Sequence, residues 1–213
     1  MDKEKLMNEI NASIKSCEKC RLCKTATNVV PGEGNVKSEI VFIGEAPGFY
    51  EDVSGRPFVG RAGKLLETSL NGIGLKREDV WIGNIIKHRP PDNREPLPDE
   101  ISACSPFLDL QLKAISPIMI VTLGRYSMNF FYPDGKISRD RGNLIRFGNY
   151  YIYPVYHPAA ALRSTGVLQE FKKDFDRIPE MLEKAKELLK GGGSSDEKPS
   201  QLHDLDGQLA MDL

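Results

Sequence analysis

No run of about 18 apolar residues occurs in the chain, so a membrane-crossing helix is excluded by length. The opening Met1-Asp2-Lys3-Glu4-Lys5 lacks the apolar core of a secretion signal, and a cytoplasmic, nucleoid-associated protein is expected. Neither Gly-x-x-x-x-Gly-Lys-Ser/Thr nor Gly-x-Gly-x-x-Gly is present, which removes two common backbone cradles for polyphosphates and dinucleotides. Internal repeats are absent. Histidine is scarce, with only His88, His157 and His203. Excess charge is lacking too: 29 basic against 30 acidic residues leave a net of −1, which at first argues against a nucleic-acid partner. The acidic residues are unevenly spread, however. From Ser194 onward Asp196, Glu197, Asp204, Asp206 and Asp212 face Lys198 alone, a net of −4, so the first 193 residues carry +3. A weakly basic body suits local rather than extensive phosphate contact.

At 213 residues, 40% of them hydrophobic, one domain with a sizeable core is expected over residues 1–190. From Gly191 the composition turns to Gly-Gly-Gly-Ser-Ser-Asp-Glu, the signature of a flexible tether. Leu6, Ile10 and Ile14 at helical spacing predict a short helix over 2–16. Apolar runs predict strands at 39–43, 80–84 and 118–123, with helices over 61–73, 98–114 and from Arg125 through Phe130. A hairpin over 142–156 turns at Gly148-Asn149, and Leu168, Phe171, Phe175, Ile178, Leu182 and Leu189 predict one long terminal helix. Strands alternating with helices imply an α/β fold with a mostly parallel, covered sheet.

Two loops follow predicted strands. Gly44-Glu45-Ala46-Pro47-Gly48, running on to Phe58, comes after Ile40-Val41-Phe42-Ile43 and therefore occupies the strand end where open α/β sheets bind ligands. One carboxylate with a flat phenylalanine nearby suits a planar heterocycle better than a polyphosphate. The second, His157-Pro158-Ala159-Ala160-Ala161-Leu162-Arg163, follows Tyr151 to Tyr156. Taken singly, each is equally compatible with a structural turn. A third feature is Cys17-x-x-Cys20-x-x-Cys23, three thiols within seven residues, with Cys104 further on. A reducing compartment disfavours disulfides, and such grouping points to a metal or cluster, with zinc and iron–sulfur both fitting the spacing.

The two loops together resemble the paired active-site motifs of the uracil-DNA glycosylase superfamily, and the whole arrangement looks like its family 4, the iron–sulfur, thermophile-type enzymes, over roughly residues 14–180. The resemblance implies a three-layer α/β/α fold and hydrolysis of the N-glycosidic bond of deoxyuridine in single- or double-stranded DNA, by a monomer. It implies that Gly44, Ala46 and Phe58 line the uracil pocket, with Phe58 stacked on the base, and that the Asn84 amide pairs with O4 and N3. His157 would stabilise charge growing on O2, Leu162 would wedge into the duplex, and Arg163 would hold a flanking phosphate. Glu45 is assigned to the attacking water or to electrostatic stabilisation, with Asn93 a second candidate. No lysine stands where a Schiff base would be evident, so a monofunctional hydrolase is expected.

The chain departs from the family pattern once. Where the family has Lys-Cys-Arg-Pro-Pro, this chain has Lys87-His88-Arg89-Pro90-Pro91. A [4Fe–4S] cluster held by Cys17, Cys20, Cys104 and His88 is therefore expected, with Cys23 the alternative fourth ligand. Two other readings stay open: a zinc- or cluster-bearing DNA-binding module without catalysis, and a sister-family glycosylase for other deaminated bases. The terminal Gln208-Leu209-Ala210-Met211-Asp212-Leu213 begins like the peptide by which repair enzymes bind a sliding clamp, but lacks its aromatic pair.

Overall fold

The computed structural model describes residues 2–191, so the terminal peptide and the tether after Gly191 lie outside the described residues. The core is a six-stranded sheet built from β1 (Glu33–Gly34), β2 (Ile40–Gly44), β3 (Trp81–Asn84), β4 (Met119–Leu123), β5 (Ile145–Phe147) and β6 (Tyr150–Val155), in the order β1-β3-β2-β4-β6-β5. The central strands β3, β2, β4 and β6 run parallel, while β1 and β5 close the edges antiparallel. Parallel pairing needs crossover segments on the sheet faces, and the strands are correspondingly apolar on both sides.

Alternation within each strand divides the core in two. Val41, Ile43, Trp81, Ile120 and Ile152 face one layer, formed by α1 (Lys3–Lys15) and α4 (Pro98–Ile115), which contribute Ile14, Leu108, Leu112 and Ile115. Their strand neighbours Ile40, Phe42, Ile82, Val121 and Tyr153 face the other. That layer is formed by α3 (Arg61–Gly72), α8 (Thr165–Asp176) and α9 (Ile178–Gly191), which contribute Leu66, Leu70, Phe171 and Phe175. Phe42 stacks on Phe175 with ring centroids 5.7 Å apart, and each such buried aromatic contributes about 1.5–3 kcal/mol. The result is the expected three-layer α/β/α arrangement. No described helix is long and apolar enough to cross a membrane.

The predicted strands form within one residue of their expected bounds, and the hairpin expected over 142–156 forms over 145–155, but some of the expected helices and loops need correction. The terminal helix is two helices: α8 ends at its C-cap Arg177 and α9 restarts at Ile178, where Pro179 has no N–H to continue the α8 ladder. The stretch after Gly44, read as loop, contains α2 (Phe49–Ser54), a short helix bounded by an extended Gly48 and a left-handed Gly55 at φ 70°. The second stretch read as loop likewise contains a helix, α7 (Pro158–Ala161), and the remaining short helices are α5 (Arg125–Phe131) and α6 (Ile137–Asp140).

Candidate active site

The parallel strands β2 and β3 end side by side, with Gly44 in register with Asn84. Beyond these ends lies a cavity of about 330 Å³ whose walls include Glu45, Phe58, Asn84, Asn93, His157 and Arg163, so the two separated loops converge on one space. Ala46 borders it too. Gly44 is required by close approach: a Cβ there would stand 2.4 Å from Asn84 Oδ1 and 2.6 Å from Phe58 Cζ. Backbone hydrogen bonds from Ile85 to Gly44 (3.0 Å) and from Ile86 to Glu45 (3.2 Å) carry the sheet past its last strand residue and fix the Glu45 backbone.

Phe58 reaches the cavity from a left-handed backbone, φ 52°, which costs a non-glycine residue roughly 1–3 kcal/mol unless its surroundings hold it. Three side features hold it. Glu51 Oε1 accepts from the Val59 and Gly60 amides, both at 3.1 Å. Arg77 donates to the carbonyls of Pro57 and Phe58 while its Nε donates to Glu33 at 2.7 Å. Gly63 lets the Phe58 carbonyl pack against α3, where a Cβ would stand 1.8 Å from that oxygen. Sequence reasoning missed Glu51 and Arg77. Glu51 could have been found from its place in the motif, and it also lines the cavity. Nothing local marks Arg77, which comes from a separate turn.

Asn84 is only 2% exposed, yet among the described residues its side-chain amide makes no hydrogen bond within the protein. A buried amide left open toward a cavity is poised for a ligand that supplies both acceptor and donor. The Asn84 backbone carbonyl accepts from Lys87 Nζ at 2.8 Å, and the same Nζ donates to Gln111 Oε1 at 2.8 Å. Burial pulls the Lys87 pKa down to about 8. Lys87 does not line the cavity, and its amine is occupied holding Asn84 from behind. This buried lysine was missed because nothing in the sequence distinguishes it from a surface one.

His157 is the N-cap of α7. Its Nδ1 accepts from the Ala159 amide at 3.1 Å, which leaves the proton of the neutral ring on Nε2. Burial, reinforced by the nearby positive charge of Arg163, pulls its pKa down to about 4, so the ring is a neutral donor at physiological pH. Its ring centroid lies 5.9 Å from that of Phe58. Glu45 has the opposite perturbation. Burial and the neighbouring Glu95 charge push it up to about 7 against a small opposing pull from Arg125, and no hydrogen bond or ion pair among the described residues satisfies it. Asn93 sits in a left-handed turn at φ 54°, its Oδ1 accepting from Arg89 Nε at 2.8 Å. Leu162, 41% exposed, caps α7 on the rim, beside Arg163.

The cysteines lie apart from this cavity. Cys17 and Cys20 pack with Cys104 against the α1–α4 core layer. Burial pushes the Cys104 thiol up to about 11, Cys17 and Cys20 adding to the effect, and the Lys87 amide donates to its sulfur at 3.2 Å. Burial also raises Cys20, with Cys17, Glu100 and Cys23 as charged neighbours. His88 is buried and its pKa lowered by that burial; the charge acting on it is Asp52. Among the described residues no three His, Cys, Asp or Glu side chains are grouped to hold a single metal ion.

A parallel sheet whose strand ends close around an open amide, a neutral imidazole donor, an unpaired carboxylate and a phenylalanine wall defines an α/β domain built to bind and act on a planar heterocycle. Residues 31–183 match the model of the Uracil DNA glycosylase superfamily. Type-4 uracil-DNA glycosylases are similar over most of the chain. The Saccharolobus solfataricus protein is 44% identical, with 87% of this chain and 92% of that one covered. The Archaeoglobus fulgidus protein is 46% identical, covering 86% and 96%. That of Thermotoga maritima is 45% identical, covering 90% and 98%. The chain thus belongs to the uracil-DNA glycosylase superfamily and, within it, to the type-4 group.

Proposed function

We infer that this protein is a DNA-repair glycosylase that hydrolyses the N-glycosidic bond of deoxyuridine in DNA, releasing uracil and leaving an abasic site. One observation carries the reading: the open Asn84 amide at the floor of a cavity walled by Phe58 and closed by the His157 Nε2–H donor. Uracil presents an acceptor at O4 and a donor at N3, which one amide satisfies together. Phe58 stacks on the ring once the nucleotide has left the helix. As the glycosidic bond breaks, negative charge grows on the uracil and the neutral His157 donor, fixed by its cap, stabilises it at O2 without a proton transfer. Glu45, as an anion, orients the attacking water and faces the developing oxocarbenium charge, with Asn93 on the same wall. Leu162 fills the space the base vacates and Arg163 holds a flanking phosphate.

Cys17, Cys20 and Cys104 would be three ligands of a [4Fe–4S] cluster, with His88 the fourth and Cys23 its alternative. Cys17 and Cys20 act electrostatically on Cys104 and all three pack at the same core layer, so the thiols lie near one another as a shared cluster would require. The Lys87 amide bonded to the Cys104 sulfur is a contact that favours a thiolate there. The cluster would supply rigidity, tying residues 17–23 and the 85–98 loop to α4, and no step of base release runs through it. The DNA substrate is expected in both single- and double-stranded form, acted on by a monomer, and the terminal peptide from Gln208 is the candidate contact for a sliding clamp.

Incubation with uracil-containing single- and double-stranded oligonucleotides tests the reading. Free uracil and alkali-labile sites are expected, with no protein trapped on DNA by borohydride. Trapping would reveal an amine nucleophile, and an oligonucleotide left intact after alkali would leave only a DNA-binding module.

A further inference from the structure

The cavity rim carries two large aromatic side chains that packing does not explain. Phe49 is 53% and Tyr50 63% exposed, at the start of α2 and directly after the Glu45 loop. Their rings meet edge to face with centroids 5.5 Å apart. Both are tied to cavity-lining segments: the Arg89 guanidinium lies over the Phe49 ring at 5.2 Å, and the Tyr50 ring rests against Gly60, where a Cβ would stand 3.4 Å from Cδ2. Arg89 in turn donates to Asn93, on the cavity wall. Arg89 beside Phe49 and Arg163 on the cavity wall form no ion pair among the described residues.

We propose that Phe49 and Tyr50 form a stacking platform for the unpaired nucleobase next to the flipped one, so that the protein grips single-stranded DNA on the rim of its pocket. The inference rests on the proposed glycosylase reading and deepens it. Three features argue for DNA as the occupant. The two aromatics lie between the cavity-lining Gly48 and Glu51, the guanidinium groups of Arg89 and Arg163, free of ion pairs, suit a phosphate backbone, and base–aromatic stacking is tolerant of sequence, as a repair enzyme requires. Arg89 over Phe49 orders one ring in advance and adds a cation to the platform.

The test uses the full chain and oligonucleotides carrying a tetrahydrofuran abasic analogue with 2-aminopurine on its 5′ or 3′ side. Wild-type protein is expected to quench 2-aminopurine on one side. The variant Phe49→Ala/Tyr50→Ala loses that quenching and binds the single-stranded probe roughly 5- to 100-fold more weakly, while Phe49→Tyr/Tyr50→Phe, which keeps both rings, restores it. The log–log salt slope of binding stays the same in the alanine variant, whereas Arg89→Ala lowers it by about one. With uracil-containing single strands the KM of the alanine variant rises by a larger factor than kcat falls. Unchanged affinity and quenching in the alanine variant would overturn the platform. Failure of the wild-type protein to release uracil, read in the separate excision assay, would instead overturn the glycosylase reading.

Discussion

Glu45 and His157 face one cavity with pKa values displaced in opposite directions, about 7 and about 4, and the displacement sets the pH behaviour of the site. His157 stays neutral above pH 5, so the acid limb of activity belongs to Glu45. If its anion orients water, kcat/KM falls about ten-fold per pH unit below 7, and Glu45→Gln, slow throughout, loses that limb. A pH–rate profile of both proteins checks this; an unchanged limb in the variant would assign it elsewhere. The same carboxyl has a cost in stability. Its folded pKa lies above the usual 4.5, so between 4.5 and about 7 the native state holds the extra proton and stability declines as pH rises through that window. Glu45→Gln is therefore expected to melt higher than wild type at pH 8 and close to it at pH 4.5. Asn84 invites a second substitution. Asn84→Asp replaces the amide donor facing O4 with an acceptor suited to an exocyclic amine, so uracil excision weakens by about 1–3 kcal/mol and cytosine gains relative to it. Competition between uracil- and cytosine-containing oligonucleotides reads the shift, and unaltered preference would remove Asn84 from base reading.

At the scale of elements, the Phe58 wall depends on α3 and on a turn well away in sequence. Gly63→Ala drives a Cβ into the Phe58 carbonyl, a backbone atom with little room to yield. We expect a loss of about 1–3 kcal/mol in stability together with a fall in excision beyond that of an equally destabilised core variant, measured by melting and by single-turnover rates. The 85–98 loop depends on a different anchor. Glu100, buried in the first turns of α4, accepts both guanidinium nitrogens of Arg94 at 2.8 and 2.6 Å and the Leu97 amide at 2.9 Å. It also lies beside Cys20, so the loop and the cysteine cluster share one support. Purified protein is expected to be brown, and Cys17→Ser, Cys20→Ser or Cys104→Ser to lose iron and weaken excision through the loop. His88→Ala is expected to lose iron where Cys23→Ser keeps it. Iron analysis decides the fourth ligand, and the reverse pattern would transfer that role to Cys23.

For the whole molecule, the described fold closes with α9, whose Ile178 and Met181 complete the second core layer. Every residue assigned to the pocket precedes that helix. Truncation after residue 193 is therefore expected to leave uracil release at the full-length rate while weakening any association with a sliding clamp, measured by excision assay and by pull-down with purified clamp. Equal clamp retention by the truncated protein would free the terminal peptide of that role.

What the sequence by itself determined is whatever depends on local pattern. Continuous apolar runs specify β2, β3 and β4, periodic leucines specify α3, and the residue types at two strand ends identify the chemistry, because strands, helices and turns are encoded by neighbours in the chain. The break between α8 and α9 was not read, because the apolar spacing runs across Pro179, the residue that marks it. Only the tertiary structure decided the rest. Glu51, Arg77 and Gly63 converge on Phe58 from three separate segments, Lys87 is buried behind Asn84 by α4 and the loop at Pro31, and the Glu45 carboxyl is left without a partner. Solvent exclusion and long-range packing create these features, and neither burial nor the absence of a hydrogen-bond partner is a property of a residue until the sheet has assembled around it.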